Sequence, residues 1–95
     1  MCTAITFTGT SNYFGRNLDL NYSYGEQVVI TPQNYEFNWR QLPSVKTHLA
    51  LIGVGIVVAD YPLYFDAINE AGLGMAGLNF PGNAHYGKVV AAKAN

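Results

Sequence analysis

Apolar and polar residues in this chain alternate with a period of two, and a period of 3.6 scarcely occurs. That restricts most of it to strands. Residues 3–8 are β-branched and aromatic, with Ile5 and Phe7 on one face. Thr8-Gly9-Thr10-Ser11-Asn12 reads as a tight turn and Tyr13–Leu18 as a second strand, so residues 2–18 form a hairpin. Tyr22-Ser23-Tyr24-Gly25 is loop-like, and Gln27–Thr31 is a short strand stopped by Pro32. Tyr35, Phe37 and Trp39 alternate with Glu36, Asn38 and Arg40, which predicts a half-buried strand ended by Pro43-Ser44. Leu49–Val58 is an apolar run of the kind covered on both faces. Tyr61–Ile68 and Leu73–Phe80 flank Asn69-Glu70-Ala71-Gly72 as a second hairpin. Gly72, Gly74 and Gly77 suggest bulges or close backbone approach. Only Lys88–Ala94 is compatible with a helix.

Six to seven strands without a real helix leave sheet faces and edges uncovered. The charge content agrees: 12% of residues are charged and 49% hydrophobic, against about 25% charged in ordinary globular chains. The 95 residues are therefore expected to be the front part of a larger protein. A complete small β-sandwich is the alternative.

Several function classes are disfavoured. Net charge is −1 and the five basic residues are scattered, so nucleic acid is not expected as a partner. Met-Cys-Thr-Ala has no signal-peptide character, and the eleven-residue apolar run 49–59 is too short to span a bilayer as a helix. One cysteine and no Cys/His cluster predict neither an internal disulfide nor a metal site, and no cofactor is implied. The expected compartment is the cytoplasm, where a thiol stays reduced.

That cysteine, Cys2, follows the initiator methionine. A small second residue favours removal of Met1, after which one Cα carries both a thiol and a free α-amine. The thiolate is a nucleophile and the amine a base, and both groups titrate within reach of neutral pH. Arg16 and Asp19 close the first hairpin, three residues apart. They reach one site only if the chain bends near Leu18. A guanidinium near the sulfur favours thiolate, and a carboxylate orients the α-amine; the two residues equally read as a surface ion pair. Asn79 ends an apolar, glycine-rich segment, where its amide can donate to an oxyanion or simply satisfy turn backbone. His48 and His85 lie in no motif that puts them near Cys2, and read as loop or strand-end histidines. Gly53-Val54-Gly55 lacks the helix and lysine of a phosphate loop and reads as strand packing.

Taken together, Met1–Phe7, Asn12–Leu20, Val28–Pro32, Ile52–Ile56 and Asp60–Asn83 resemble the choloylglycine hydrolases, the bile salt hydrolases of gut bacteria. The resemblance runs in order over nearly the whole chain. It implies an α+β fold, the N-terminal-nucleophile hydrolase αββα sandwich, of which this chain supplies mainly antiparallel strands. It implies that Cys2 is the nucleophile, Arg16 the arginine beside the sulfur and Asp19 the carboxylate on the α-amine. Asn79 would be one of two oxyanion-hole asparagines. Related penicillin V acylases typically have tyrosine at that place, which tilts the expected substrate toward conjugated bile salts. A second asparagine and a second arginine of the family fall beyond Asn95. The implied reaction is hydrolysis of the amide joining a bile acid to glycine or taurine, in a homo-oligomer, expected to be a tetramer. A penicillin V acylase-like or other N-acyl amide hydrolase, or an inactive truncated chain, are the alternatives. The steroid body calls for an apolar pocket, for which Leu18, Leu20, Tyr24, Tyr61 and Phe65 are candidates; each equally reads as core.

Overall fold

The computed structural model describes residues 1–88. Seven strands, with no helix among the described residues, form two antiparallel sheets. Among the described residues no helix is long and apolar enough to cross a membrane. The first sheet is the hairpin β1 (Thr3–Thr8) and β2 (Asn12–Asn17), paired from Thr3↔Asn17 to Thr8↔Asn12. It forms as its β-branched and aromatic content predicts, yet every residue of β1 is exposed. β2 is the strand that packs inward, with Phe14, Gly15 and Arg16 half-buried.

The second sheet contains β3 (Gln27–Thr31), β4 (Leu51–Val58), β5 (Tyr61–Tyr64), β6 (Asp66–Asn69) and β7 (Gly74–Ala76). β4 is central, with β3 on one edge and β5 followed by β6 on the other; β7 pairs with β6. β4 and β5 meet in a two-residue turn in which Ala59 and Asp60 both have positive φ, 49° and 61°. This is the backbone form that matches the twist of a tight hairpin.

Tyr61–Ile68 is not one continuous strand. Gly55 pairs with Tyr64, but Ile52 pairs with Ile68, so three residues of the β5–β6 strand oppose two of β4. The extra residue is a β-bulge at Phe65–Asp66. Gly53 makes it possible, because a Cβ there would collide with the Asp66 carbonyl oxygen and the Ala67 Cα. The bulge therefore lies opposite Gly53, not at the later glycines. The expected strand Leu73–Phe80 is paired only over β7.

Residues 35–40 also depart from expectation. Phe37 exchanges backbone hydrogen bonds with Val45, both 2.9 Å, and this single bridge replaces a ladder. The chain doubles back at Pro43-Ser44 too soon for a second pair. Burial still alternates, because Tyr35, Phe37 and Trp39 turn inward together. Phe37 stacks on Trp39 with centroids 4.9 Å apart, and His48 and Tyr61 close around it. With Val29 and Thr31 this cluster makes up the small core.

The opposite sheet face is open. Val28 and Ile30 are 68% and 69% exposed while Val29 and Thr31, which alternate with them, are buried. β4, expected to be covered on both faces, leaves Ile52, Val57 and Val58 exposed. The helix-compatible segment Lys88–Ala94 lies, apart from Lys88, outside the described residues.

Candidate active site

Cys2 is half-buried and immediately precedes β1. Continuing the β1–β2 register one step sets it opposite Leu18 and on the same hairpin face as Ala4 and Arg16. Its Sγ lies 3.9 Å from the Asp19 carbonyl oxygen. β2 ends at Asn17, and the chain leaves the hairpin over residues 18–20. That bend turns the Asp19 carboxylate to the chain terminus, where it pairs with the Met1 α-ammonium. Thiol and terminal amine thus both meet Asp19, the thiol at its backbone carbonyl and the Met1 amine at its carboxylate.

Arg16 points elsewhere than the sulfur in its polar contacts. Its side chain is 5% exposed and spans to the second sheet. Nη1 donates to the Phe65 carbonyl at 3.3 Å and to Asp66 Oδ2 at 3.2 Å, and Nη2 donates to the Gly77 carbonyl at 2.9 Å. Among the described residues, every hydrogen bond between the two sheets comes from Arg16. Asn79 stands two residues beyond Gly77, exposed, with no hydrogen bond to Cys2.

The five apolar candidates separate into two pairs and one residue apart from both. Leu18 and Leu20 are half-buried beyond the end of β2. Tyr24 and Phe65 lie together, centroids 6.3 Å apart, and Tyr22 packs on Tyr24 at 4.9 Å. The Tyr24 hydroxyl donates to that of Tyr22, and this bond, with some burial and the neighbouring phenol, raises its pKa above the ordinary tyrosine value. Tyr61 is not with them; it packs on Phe37 and Trp39 in the core cluster. A groove of about 230 Å³ between Val29, Ile30, Tyr35, Val57 and Pro62 is lined by none of the five. Both ring nitrogens of His48 lie on backbone carbonyls, of Leu49 and Tyr35, at 2.7 and 2.8 Å, so this histidine is tied into the core. Among the described residues no three His, Cys, Asp or Glu side chains gather to hold a metal.

Residues 2–95 match the model of the linear amide C–N hydrolases, choloylglycine hydrolase family. The chain belongs to that family.

As a choloylglycine hydrolase family member it is 52% identical over its whole length to the bile salt hydrolase/transferase of Lactiplantibacillus plantarum, of which it spans 29%. It is 53% identical over 90 residues to the conjugated bile acid hydrolase of Lactobacillus gasseri, covering 28% of that protein. Among solved structures, a cysteine-to-alanine mutant of the conjugated bile acid hydrolase from Clostridium perfringens superposes with a TM-score of 0.81 at 35% identity. The match covers 95% of this chain and 28% of that one. The strands described above are thus the β part of the N-terminal-nucleophile αββα fold.

Two polar residues of this family member escape a reading of the sequence. Asn17 accepts the Thr3 N–H on its Oδ1 and donates from Nδ2 to the Met1 carbonyl at 3.4 Å, gripping the backbone on both sides of Cys2. Its neighbours Arg16 and Asp19 drew attention by charge; an amide on a strand did not. Asp66 accepts Arg16 on one oxygen and the Val54 N–H, at 3.0 Å, on the other. A lone carboxylate inside the apolar stretch Tyr61–Ile68 was the available signal.

Proposed function

We propose that the protein carrying this chain hydrolyses the amide bond of glycine- or taurine-conjugated bile salts, with Cys2 as the nucleophile. Residues 1–95 are then the N-terminal portion of its single hydrolase domain. The observation that carries this reading is the convergence of the Cys2 thiol and the chain terminus on one residue, Asp19. The names of the relatives support the substrate class.

Removal of Met1 exposes the Cys2 α-amine within reach of Asp19. The thiolate attacks the amide carbonyl carbon, and the oxyanion receives hydrogen bonds, one of them from Asn79. Collapse breaks the C–N bond, and the Cys2 α-ammonium protonates the departing glycine or taurine nitrogen. The bile acid remains as a thioester on Cys2. Water, deprotonated by the now neutral amine, attacks the thioester and releases the bile acid. Tyr22, Tyr24 and Phe65, with Leu18 and Leu20, offer apolar surface for the steroid.

The test is an assay of the full-length protein on glycocholate, taurocholate and penicillin V, beside an intact-mass measurement. Turnover of a conjugated bile salt by protein lacking Met1 is expected. Faster hydrolysis of penicillin V, or turnover by protein that retains Met1, would sink this reading.

A further inference from the structure

We propose that Asp66 is a positioning residue for this reaction, acting on Cys2 through Arg16; the proposal rests on the assignment of Cys2 as nucleophile. Hydrogen bonds tie Arg16 through Asp66 to the central strand, and the backbone of the hairpin ties Arg16 to Cys2. The Val54 N–H on the central strand holds Asp66 Oδ1, at 3.0 Å. Asp66 Oδ2 holds Arg16 Nη1, at 3.2 Å. Arg16 sits on β2, on the hairpin face that Cys2 continues. The two charged side chains are 5% and 14% exposed, so water competes little for either.

The bulge is what makes this contact. In an unbroken β5–β6 strand the Val54 N–H would face a backbone carbonyl. The extra residue at Phe65–Asp66 frees that donor, and the Asp66 carboxylate takes it. A side chain locked on the middle strand thereby sets the pose of a guanidinium from another sheet.

Arg16 also grips the Gly77 carbonyl, two residues before Asn79. Among the described residues the hairpin's hydrogen bonds to this sheet and its flanking residues all come from Arg16, to Phe65, Asp66 and Gly77. Asp66 is the only charged member of the acceptor set, and so the strongest anchor. Loosening it lets the nucleophile hairpin shift against the segment that carries Asn79. Because Cys2 continues the hairpin face that carries Arg16, the shift carries the thiol and its surroundings with it.

The experiment uses the full-length enzyme and a double-mutant cycle of Asp66→Asn with Arg16→Met, plus Asp66→Glu. Steady-state kinetics on glycocholate are read together with the rate of Cys2 alkylation by iodoacetamide, followed on the N-terminal peptide by mass. For Asp66→Asn, kcat should fall about 10²-fold with KM changed less than about threefold, as for a misplaced reacting group. Alkylation should slow about tenfold, and in the Arg16→Met background Asp66→Asn should add nothing. Asp66→Glu, which keeps the carboxylate, should recover at least about tenfold in kcat over Asn. Wild-type kinetics in Asp66→Asn, or a loss that persists undiminished in the Arg16→Met background, would overturn the proposal. If Asp66→Asn does not fold, Asp66→Glu takes its place in the cycle. Its smaller loss should likewise vanish in the Arg16→Met background, and a loss that persists there would overturn the proposal equally. A wild-type enzyme inactive on bile salts would instead defeat the proposed function, and the alkylation cycle would still decide the role of Asp66.

Discussion

The ring of Phe14 lies so close over Gly74 that a Cβ on the glycine would sit 2.8 Å from the ring's Cγ. Phe14 belongs to β2 and Gly74 to β7, so this is the apolar contact that accompanies the Arg16 bridge between the sheets. The near end of the ring is attached to the strand and has no room to withdraw.

Gly74→Ala should therefore push the hairpin off the second sheet. A destabilisation of about 1–3 kcal/mol is expected, as for overpacking elsewhere. Chemical denaturation of the full-length protein measures it. An unchanged midpoint would show that the two sheets already part easily at this contact.

Asn17→Ala should weaken the seat of the terminus without unfolding the protein. The residue is exposed, and once Met1 is removed its remaining contact, to the Thr3 N–H, is worth at most about 1.5 kcal/mol. Stability should change by less than that, while kcat falls roughly tenfold because Cys2 is held less firmly. Equal kcat for mutant and wild type would mean the clamp does not matter to the chemistry.

Glu70 should contribute to stability only away from acid. Its Oε1 accepts the Gln33 side-chain amide at 2.6 Å and the Ala50 N–H at 2.9 Å, and these bonds, in that order, lower its pKa below the ordinary glutamate value. A carboxyl whose pKa is lower when folded stabilises the fold fully above its unfolded value. That stabilisation is lost as pH falls through the folded value. Denaturation midpoints of wild type and Glu70→Gln should differ at neutral pH and converge on acidification. A gap that stays constant with pH would contradict the assignment.

The isolated 95-residue chain should be inactive and should aggregate. Val28 and Ile30 expose one face of β3, and β1 is exposed throughout. Apolar faces and strand edges of this kind template association. Size-exclusion chromatography of the purified chain should show large species, with no glycocholate hydrolysis. A stable, active monomer would refute the prediction.

The strands were legible where neighbouring residues carry the signal. β1, β2, β3 and β4 fall close to the expected positions because alternation and turn residues are local properties. The Ala59-Asp60 turn was not legible, since neither residue is the glycine or asparagine that positive φ favours. Tyr35–Trp39 misled for a different reason: alternating burial needs only side chains turning inward, whereas a strand also needs a partner of matching length. Tyr61 likewise could not be sorted from Tyr24 and Phe65, because all are aromatic and near turns.

By itself the sequence determined the nearly all-strand character of the described chain, the first hairpin, the place of a single thiol behind a removable methionine, and the family. Each rests on residues contiguous in the chain. Tertiary structure alone decided that Arg16 bridges to Asp66, fifty residues away, and that Asn17 grips the terminus. The physical reason is register. A one-residue bulge against Gly53 sets where the Asp66 carboxylate points, and a bulge exists only between two strands already paired.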